Sequence, residues 1–315
     1  MGRKLLLTGG TGSFGMKFAE IALKECDYEV IRVYSRSEYL QSEMAQKFEG
    51  NSRLRFLIGD VRDKTRLYRA MQGIDIVIHA AAIKQIPTAE YNPIEAVRTN
   101  IDGAINVIDA AIDTGIERVM AISTDKAAHP CNLYGTTKSV AEKLFVQANV
   151  YTRKTIFSCV RYGNVMGSRG SVIPLFLKQR ESGELTVTDP DMTRFWITLE
   201  QGVRFVLKRL DEMKGGEIFV PKLPSMKMSD MANFIAPDAK IKIVGLRPGE
   251  KLHEEMVTEE ERYHTREFSD YFAISPEFPF WTDDTVDRSE VKRYSSDNNG
   301  WWLTKEELLK YIGGI

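Results

Sequence analysis

Residues 3–15 of the chain read RKLLLTGGTGSFG, and an apolar helix-forming run over residues 16–24 follows at once. Residues 3–8 predict a short buried strand, after which Gly9, Gly12 and Gly15 stand in a GxxGxxG spacing. Glycine allows a tight turn and lets a pyrophosphate approach the backbone at a helix N-terminus. A glycine-rich turn without a ligand is the simpler interpretation. The position between a strand and a helix, at the start of an α/β pattern, favours a dinucleotide site.

Strand and helix patterns alternate through the first 160 residues. Strands are predicted at residues 3–8, 29–34, 54–58, 75–79, 117–122 and 155–160, and helices at 16–24, 38–48, 64–71, 93–114 and 134–148. This alternation predicts an α/β fold with a doubly wound parallel sheet of the Rossmann type. After residue 160 a glycine-punctuated loop and shorter elements predict a smaller α/β lobe over the strand ends.

We therefore expect a dinucleotide-binding Rossmann domain over residues 1–163, which contains a catalytic segment at 123–138. Residues 164–315 are expected to form mainly a substrate-binding lobe and a C-terminal tail, with some return to the Rossmann core. The tail closes with Trp301-Trp302, which favour packing or a subunit contact, and with a helix opened by a capping box of Thr304 and Glu307.

Bulk composition excludes several classes of function. Lys plus Arg (43) balance Asp plus Glu (44), so no net charge attracts nucleic acid or a membrane surface. Three scattered cysteines and four histidines form no disulfide framework and no metal-ligand spacing. The first strand starts at Arg3, which leaves no room for a signal peptide, and no apolar run reaches the roughly 20 residues that span a bilayer. We expect a cytoplasmic protein without metal, membrane or nucleic-acid partner.

The ends of the second and third strands bear on the identity of the cofactor. An NAD site usually has Asp or Glu about 20 residues past the glycines, whereas Arg there suits the 2′-phosphate of NADP. This chain has Ser35 and Arg36 at that place and no acid, which favours NADP. The alternative is that Arg36 caps or solvates the next helix. Asp60 can accept from the adenine amino group, because Asp63 is the better cap for the helix that begins at Lys64.

The segment at residues 123–138 reads STDKAAHPCNLYGTTK and follows the fifth strand. Tyr134 and Lys138 lie one helical turn apart on the same face. A phenol has a pKa of about 10, which a nearby ammonium lowers. Asp125 and Lys126 add an acid and an amine at a strand end, where α/β sheets place their ligands. This pair could be a surface ion pair worth under about 1 kcal/mol. Its place beside a Tyr-xxx-Lys favours a catalytic role.

Four arginines fall in predicted loops of the second half: Arg161, Arg169, Arg194 and Arg247. Guanidinium groups hold phosphate oxygens bidentately. A surface salt bridge is the simpler interpretation of any one of them, but together they favour a phosphorylated ligand. Lys84 follows three alanines on the ligand side of the sheet, where it could also be a solvated loop lysine. His79 ends a strand between apolar neighbours and is expected to be a packed core residue.

The glycine loop, the Tyr134-xxx-Lys138 spacing and the run Arg161-xx-Asn164-xx-Gly167 together resemble an extended short-chain dehydrogenase/reductase. Within that superfamily the chain resembles the inverting UDP-N-acetylglucosamine 4,6-dehydratases, which start pseudaminic acid and related bacterial sugar pathways. The resemblance covers nearly the whole chain and rests on residues 33–36 (VYSR), 59–63 (GDVRD), 123–128 (STDKAA), 161–172 (RYGNVMGSRGSV), 192–197 (MTRFWI) and 246–254 (LRPGEKLHE). Asp125-Lys126 is its specific part, since dehydratases that retain configuration typically have Asp-Glu there.

The resemblance implies a mechanism. Tyr134, as phenolate, takes the proton of the sugar 4-hydroxyl while hydride passes from C4 to a bound NADP that is regenerated in each turnover. Lys138 lowers the pKa of the tyrosine and holds the nicotinamide ribose, and Thr124 hydrogen-bonds the same oxygen. Lys126, if its pKa falls, removes the C5 proton. Asp125 protonates the departing 6-hydroxyl. Hydride then returns to C6, and a proton returns to the opposite face of C5.

The resemblance also implies contact residues and assembly. Cofactor contacts are expected from Gly9, Gly12, Ser13, Phe14, Gly15, Ser35, Arg36, Gln41, Asp60, Val61, Ala80, Ala81, Tyr134, Lys138 and Val165. Contacts to a UDP-sugar are expected from Lys84, Asn164, Arg169, Val172, Thr193, Arg194, Arg247 and Glu250. A homo-oligomer is expected, either a dimer paired through the helices at 93–114 and 134–148 or a hexamer built from such dimers.

Other functions fit the same fold. A UDP-N-acetylhexosamine 4-epimerase or reductase needs Tyr134 and Lys138 but no acid–base pair at Asp125-Lys126, and a retaining dehydratase is a further alternative. From another class, a non-catalytic NADP-sensing regulator usually lacks the Tyr-xxx-Lys that this chain keeps.

Overall fold

The structure, a computed structural model, describes residues 2–168, 171–281 and 291–313. Its strands are β1 (Lys4–Thr8), β2 (Val30–Ser35), β3 (Leu54–Ile58), β4 (Ile76–His79), β5 (Arg118–Ile122), β6 (Ile156–Val160), β7 (Asn164–Val165), β8 (Glu184–Val187), β9 (Thr193–Ile197), β10 (Ile218–Pro221), β11 (Ser225–Lys227), β12 (Lys240–Ile243), β13 (Glu255–Val257), β14 (Thr265–Glu267), β15 (Tyr271–Ile274) and β16 (Tyr294–Ser295).

Its α-helices are α1 (Ser13–Glu25), α2 (Glu38–Lys47), α3 (Lys64–Met71), α4 (Ile86–Tyr91), α5 (Pro93–Val97), α6 (Gly103–Thr114), α7 (Leu133–Gln147), α8 (Val172–Arg180), α9 (Leu199–Glu212), α10 (Met228–Ile235) and α11 (Lys305–Ile312). Single 3₁₀ turns lie at Asp125–Ala127, Ala148–Val150 and Glu261–His264, and a π-helical turn lies at Arg98–Asp102. Among the described residues, no helix combines the length and the apolar character needed to cross a bilayer.

The largest sheet in the described part of the chain has nine strands in the order β14-β15-β10-β6-β5-β4-β1-β2-β3. The pairs from β3 to β10 are all parallel, whereas β15 runs antiparallel to both β10 and β14. The strand order reverses between β1 and β4, which is the point where ligands bind in open α/β sheets. The prediction of a doubly wound parallel sheet is confirmed. Segments of the C-terminal half complete this sheet.

The side chains at the centre of the sheet are buried because helices cover both of its faces. Leu5, Leu6 and Leu7 of β1 are all fully buried, as the continuous apolar run of a parallel strand requires. Helices α3 and α6 pack together, as do α1 and α9. The fold thereby holds the carboxyl ends of β1, β4 and β5 at a fixed edge.

A second core belongs to the smaller lobe. Ile173, Phe176, Leu185, Trp196 and Met231 are buried together there, in a cluster separate from that of the main sheet. Two small sheets frame this core, with strand orders β11-β9-β7 and β12-β8. Strand β13 pairs antiparallel with β16, and residues 301 and 302 pair with Ser225 of β11. The smaller lobe therefore has a hydrophobic core of its own.

Local departures from the sequence-based expectations have identifiable causes. The helix expected over residues 93–114 is interrupted by the π-helical turn, which contains Asn100. The Asn100 amide accepts from Ile83 N at 2.8 Å and donates to Ile83 O and to Thr137 Oγ1, both at 2.9 Å. A π-turn often marks a functional position in a helix. Here it lets one side chain join the loop after β4 to α7.

Helix caps were more predictable. Asp63 accepts from Arg66 N at the start of α3, and Thr304 and Glu307 form the expected capping box of α11. Both predictions are confirmed. A cap is a contact within one turn of chain, so the sequence alone can display it. The alternative cap at Arg36 is wrong, since Ser37 caps α2.

Candidate active site

The glycine loop lies at the switch point, pressed against the loop after β4. Gly9 has a φ of +66°, and a Cβ at this residue would lie 2.8 Å from Ala81 N, so only glycine fits. The backbone N–H groups of Ala80 and Ala81 donate to Thr8 Oγ1 at 3.2 and 3.3 Å. This places the predicted contacts Ala80 and Ala81 directly beside the glycine turn.

The first turn of α1 has no side-chain cap. Gly12 stands at the N-cap and supplies no side-chain cap, and Ser13, Phe14 and Gly15 begin the helix. No acidic residue lies in this turn, so the positive end of the helix dipole is not offset locally. Such a terminus is suited to the phosphates of a dinucleotide. The loop and the helix terminus fit a nicotinamide dinucleotide. Glycine at residue 9 lets the turn lie against Ala81, where a Cβ would clash.

The predicted cofactor contacts at the end of β2 differ: some make hydrogen bonds inside the protein, and one is exposed to solvent. Gln41 is buried, and its amide donates to Ser35 O, to Ser35 Oγ and to Leu57 O at 3.1, 3.0 and 2.9 Å. It therefore ties β2 to β3. Arg36 is exposed and lowers the pKa of Asp60 by its charge. Of the predicted contacts here, Arg36 is the one whose side chain faces solvent beside the loop after β3.

The loop after β3 carries Asp60 and the buried Val61. Burial raises the pKa of Asp60, but hydrogen bonds from Arg62 outweigh it and the pKa is lowered. The Asp60–Arg62 contact is 2.7 Å. An open depression of about 470 Å³ lies there, lined by Asp60, Arg62, Asp63, Arg98 and Asp102. Asp60 is thus free of the helix cap, as predicted, but its carboxylate is shared with Arg62.

The catalytic segment follows β5 and is held by both halves of the chain. Asp125 N donates to Tyr162 O at 3.1 Å, and Thr124 begins the 3₁₀ turn by accepting from Lys126 N. Asn132 caps α7, and its amide donates to Gly249 O at 2.8 Å. The loop that contains Arg247 and Glu250 therefore docks on the catalytic segment.

Gly135 was missed by the sequence reasoning, although it fixes the start of α7. A Cβ at this residue would lie 2.3 Å from Lys126 O. The helix therefore approaches the backbone of the 3₁₀ turn more closely than any other residue type permits. The signal was available in the glycine that directly follows Tyr134.

Tyr134 is nearly buried in a small apolar cluster with Ala89 and Ala96. Burial raises its pKa to about 12, opposed by the charge of Lys126 and by hydrogen bonding from Thr124. The effect of Lys138 on this pKa stays a prediction. Lys138 Nζ donates to Ile122 O at 2.7 Å, and burial lowers the pKa of Lys138 itself. Lys126 is the cation that lowers the pKa of Tyr134 most.

Asp125, Lys126 and Asn164 lie together in the structure, and a fourth residue joins them. Lys126 Nζ donates to Asp125 Oδ1 at 3.0 Å and to Asn164 Oδ1 at 3.1 Å. Glu254 Oε1 lies 3.4 Å from the same nitrogen. Thr124 Oγ1 donates to Asp125 Oδ1 at 2.8 Å, whereas Asp125 Oδ2 is buried without a hydrogen-bond partner. A buried acid with an unused oxygen is suited to donate a proton to a ligand.

The protonation states of this cluster follow from its charges. Burial raises the pKa of Asp125, despite the nearby ammonium. Burial would lower the pKa of Lys126, but Asp125 and Glu254 outweigh it, so this pKa is raised. The condition set for a basic Lys126, a lowered pKa, is therefore not met in this structure. The 3.0 Å hydrogen bond still allows one proton to move from Lys126 to Asp125, which gives an amine and a carboxylic acid.

The interpretation of Arg161 as a phosphate-binding loop residue is wrong. The side chain is buried, and its N–H groups bind Glu142, Glu261 and Met256 O. Burial would lower the pKa of Arg161, but the two carboxylates raise it well above its usual value. The guanidinium is saturated inside the protein and has no donor left for a ligand.

Arg194 and Thr193 are also occupied by the protein. The terminal nitrogens of Arg194 donate to the carbonyls of Thr193, Lys251 and Leu252 at 2.7, 2.8 and 3.1 Å. Thr193 Oγ1 hydrogen-bonds His253 Nδ1 at 2.9 Å and Ser296 Oγ at 2.7 Å. The structure thus gives both residues a role in holding residues 251–254 against β9.

The remaining predicted contacts surround the catalytic segment or lie outside the described residues. Arg247 and Lys84 are exposed, whereas Glu250 is half-buried and its Oε2 accepts from Arg247 N at 3.3 Å. Val165 pairs with Ile197, and Val172 begins α8. Arg169 lies outside the described residues. Among those that are described, no group of three or more His, Cys, Asp or Glu side chains is arranged to hold a metal ion.

His79 matches its expected core role. It is buried at the end of β4, with Nδ1 2.9 Å from Thr8 Oγ1. Burial lowers its pKa to about 3, so the ring is neutral at physiological pH.

The chain is similar to known proteins over most of its length. The family described as "Polysaccharide biosynthesis protein" matches residues 5–276. A UDP-N-acetylglucosamine 4,6-dehydratase (inverting) from Campylobacter jejuni is 50% identical, over 98% of this chain and 97% of that protein. A UDP-glucose 4-epimerase from Rickettsia canadensis is 42% identical, over 86% of this chain and 82% of that protein.

Solved structures extend the comparison. Pen from Bacillus thuringiensis superposes with a TM-score of 0.91 and 40% identity, covering 99% of this chain and 97% of that one. More distant structures of the same fold, at TM-scores of 0.71 and 0.69, include a dTDP-glucose dehydratase and a UDP-glucuronic acid epimerase with NAD bound. They are 22% and 23% identical and show the fold alone. The chain belongs to the polysaccharide biosynthesis protein family, among the relatives of the inverting UDP-N-acetylglucosamine 4,6-dehydratases.

Proposed function

We propose that the chain removes water from UDP-N-acetylglucosamine across C5 and C6 and inverts C5, giving a UDP-2-acetamido-2,6-dideoxy-4-hexulose of L-arabino configuration. The observation that carries the proposal is the pair of the buried Asp125 and the partly buried Lys126, which share a hydrogen bond of 3.0 Å beside Tyr134. Oxidation and reduction at C4 need only the tyrosine, whereas loss of the 6-hydroxyl needs an acid and a base together. The identity to the Campylobacter dehydratase supports the same substrate.

The residues of the site divide this work. Tyr134 takes the proton of the 4-hydroxyl, and Thr124 and Lys126 stabilise the phenolate by a hydrogen bond and by charge. When bound, the nicotinamide cofactor supplies the acceptor, and later the donor, of the hydride that leaves C4 and returns to C6. Lys126, as an amine, takes the C5 proton. Asp125 gives its proton to the departing 6-hydroxyl through the unused Oδ2.

NADP is the proposed form of the nicotinamide cofactor. Support comes from Arg36, which is exposed at the end of β2, where no acid stands to bond a ribose 2′-hydroxyl. Arg36→Glu should weaken binding of NADP much more than binding of NAD, as measured by titration calorimetry. Equal loss for both dinucleotides would assign the preference elsewhere.

The proposed contacts to the UDP-sugar are Asn164, Arg247 and Glu250, with Lys84 at the opposite loop. Support comes from Asn164, which contacts Lys126, and from the docking of the 247–250 loop on Asn132. Arg169, Val172, Thr193 and Arg194 remain part of the proposal through the resemblance. For Thr193 and Arg194 the role would be indirect, through residues 251–254.

The decisive experiment is incubation with UDP-N-acetylglucosamine in heavy water. We expect a product lighter by one water, with deuterium at C5 and an inverted C5, read by mass spectrometry and by proton couplings in NMR. Retained configuration at C5 would exclude the inverting assignment.

A 4-epimerase is the second candidate, because the Rickettsia relative bears that name. The same experiment separates the two functions. A product of unchanged mass with an altered C4 would identify an epimerase, and UDP-glucose should be tested alongside for that reason. An NADP-sensing regulator would gain thermal stability from the dinucleotide and none from UDP-sugars.

Three broader features complete the proposal. The product suits a pathway to pseudaminic acid or a related bacterial surface sugar.

A homo-oligomer is proposed, as a dimer or a dimer-based hexamer, and partly exposed apolar side chains such as Ile105 on α6 and Val140 on α7 support contact through these helices. The cytoplasm is the proposed compartment, and three free cysteines suit its reducing conditions.

A further inference from the structure

Glu254 is a buried carboxylate that the C-terminal lobe brings against the catalytic amine. Its side chain is 3% exposed, and Oε1 lies 3.4 Å from Lys126 Nζ. Lys126 is thereby held by three oxygens, from Asp125, Asn164 and Glu254. No function derived above uses Glu254.

The backbone of Glu254 is fixed from two sides. Glu254 N donates to Ser296 Oγ at 2.9 Å, and Ser296 N donates to Glu254 O at 2.8 Å. Ser296 Oγ in turn contacts Thr193 Oγ1 at 2.7 Å. Strand β13 begins at the next residue and pairs with β16. A carboxylate placed on so rigid a support has the precision that a catalytic site requires.

The surroundings keep Glu254 ionised. Burial raises its pKa, but Lys126, Arg194 and Lys251 together outweigh burial and the pKa is lowered. Lys251 Nζ lies 3.5 Å from Oε2, and Arg194 Nε lies 3.8 Å from Oε1. Oε2 nevertheless makes no hydrogen bond. A buried charge held this loosely costs stability, so its presence calls for a role in the chemistry.

We propose that Glu254 is a positioning residue for the dehydration, which holds the ammonium of Lys126 in line with Asp125 and sets the pH range in which this pair shares one proton. This inference rests on the proposed function. The groups that face Lys126 are Asp125 beside it, Tyr134 on α7, Asn164 on β7, Arg194 on β9 and Glu254 before β13.

The proton steps balance across the pair. In the resting site Lys126 is an ammonium and Asp125 a carboxylate. An N–H bond of Lys126 breaks as an O–H bond of Asp125 forms, which leaves an amine and an acid. The amine then takes the C5 proton, and the C5–H electron pair forms the C5–C6 double bond as the C6–O bond breaks. The proton of Asp125 leaves with that oxygen as water, and Lys126 is again an ammonium beside Glu254.

The pH profile of kcat follows from this account. A second proton on the pair removes the base, and loss of the shared proton removes the acid, so the profile has two limbs. The negative charge of Glu254 favours protons on the pair. Glu254→Gln should therefore move both limbs to lower pH. It should also lower kcat about tenfold or more, because a neutral amide holds the ammonium of Lys126 more weakly than a carboxylate does.

The test compares Glu254→Gln with Glu254→Asp and with the neighbouring Glu255→Gln. Glu255 is also largely buried, but its carboxylate faces His129 and Arg293. Water loss from UDP-N-acetylglucosamine is followed against pH, with KM, NADP affinity and Tm measured on each variant. We expect E254Q to show the shifted limbs with KM and NADP affinity within about threefold of wild type. E254D should restore the limbs, and E255Q should retain the wild-type profile.

Three results would overturn the inference. An E254Q profile that superposes on wild type, with a loss of kcat that follows the loss of Tm, would leave Glu254 a structural role only. If E254Q does not fold, E254D decides. This variant keeps the charge and so should keep the wild-type limbs, but its shorter side chain draws the carboxylate back from Lys126 and should lower kcat, so a wild-type kcat would exclude a positioning role. A wild-type protein that releases no water would overturn the proposed function first, and the role of Glu254 with it.

Discussion

Two largely buried charged clusters join the Rossmann sheet to the C-terminal lobe, and they are built differently. The first, here called the arginine clamp, consists of Arg161 with Glu142 of α7 and Glu261 of the lobe. The second, here called the amine cluster, consists of Asp125, Lys126, Glu254, Arg194 and Lys251. Both lie beside the catalytic helix, since Glu142 is one turn beyond Lys138.

The arginine clamp is saturated, whereas the amine cluster is not. The guanidinium of Arg161 makes five hydrogen bonds between 2.6 and 3.0 Å, one for each of its N–H donors. In the amine cluster the ion-pair distances run from 3.0 to 3.8 Å, and Asp125 Oδ2 and Glu254 Oε2 lack hydrogen-bond partners. A satisfied buried network rigidifies a fold, and an unsatisfied one holds groups ready for a ligand. Burial alone does not separate these roles, but the count of unused atoms does.

The largest effect that would test this contrast is expected from Lys126→Ala. Dehydration should fall roughly 10³-fold, because the site loses its base and the partner of Asp125. NADP affinity should stay near that of wild type. Product release is measured by mass spectrometry, and NADP affinity by titration calorimetry.

A matched control for this variant is Lys222→Ala, which removes a lysine that pairs with Glu267 at the surface. It should leave the rate unchanged. Collapse of NADP binding in Lys126→Ala would make Lys126 a cofactor ligand and would contradict its place in the amine cluster.

The next effect is on stability and concerns the arginine clamp. Arg161→Met leaves the buried Glu142 and the partly buried Glu261 without their cation, which should cost about 3–5 kcal/mol in the free energy of unfolding. The kcat of the folded fraction should change little. Denaturant unfolding and active-site titration measure the two quantities.

Arg204→Met is the exposed counterpart, since Arg204 also pairs with two carboxylates, Glu25 and Glu200, but at the surface. We expect a far smaller loss of stability there, because solvent screens the exposed pairs. A large loss of kcat at wild-type stability in Arg161→Met would place Arg161 in the chemistry and erase the contrast.

The smallest effect is expected at a third link between the same two regions, which is half exposed. His129 Nδ1 lies 2.6 Å from Glu255 Oε2, and Nε2 lies 3.0 Å from Glu260 Oε2. Burial would lower the pKa of His129, but the two carboxylates outweigh it and the pKa is raised. The stabilisation is therefore complete below the unfolded-state pKa of about 6.5 and is lost as pH rises through the raised folded-state value.

His129→Gln should accordingly reduce the difference in unfolding free energy between about pH 6 and about pH 8, by under about 1 kcal/mol after solvent screening. Denaturation of wild type and variant at both pH values measures it. A difference that grows in the variant would reverse the assigned sign.

Local patterns in the sequence predicted several contacts in the first half of the chain. The turn at Gly9, the cap at Asp63 and the pairing of Asp125 with Lys126 each depend on residues within a few positions of one another. Such contacts are set by backbone geometry and by short side chains, which a single sequence displays.

Contacts between distant segments were the ones missed or misread. Arg161 and Arg194 have the sequence context of ligand-binding loop residues, yet each is occupied by groups from residues 251–261. Glu254 reaches Lys126 from 128 positions away, and its run LRPGEKLHE was noted without a role for its last residue. The short strands β13 to β16 carry too few residues for a period-2 pattern. Which charges meet is decided by how the lobe folds back, and composition does not encode that.

The way the last strands join the large sheet has a consequence for folding during translation. Strand β6 pairs on one side with β5 and on the other with β10, which lies about 60 residues later, and β15 then pairs with β10. A nascent chain that has emerged only as far as β6 presents the bare side of an apolar parallel strand, which invites association with other chains. The nucleotide-binding half therefore completes its sheet only after the lobe segment between β6 and β10 has been synthesised. Premature termination within that segment should yield aggregates in place of a smaller dinucleotide-binding protein.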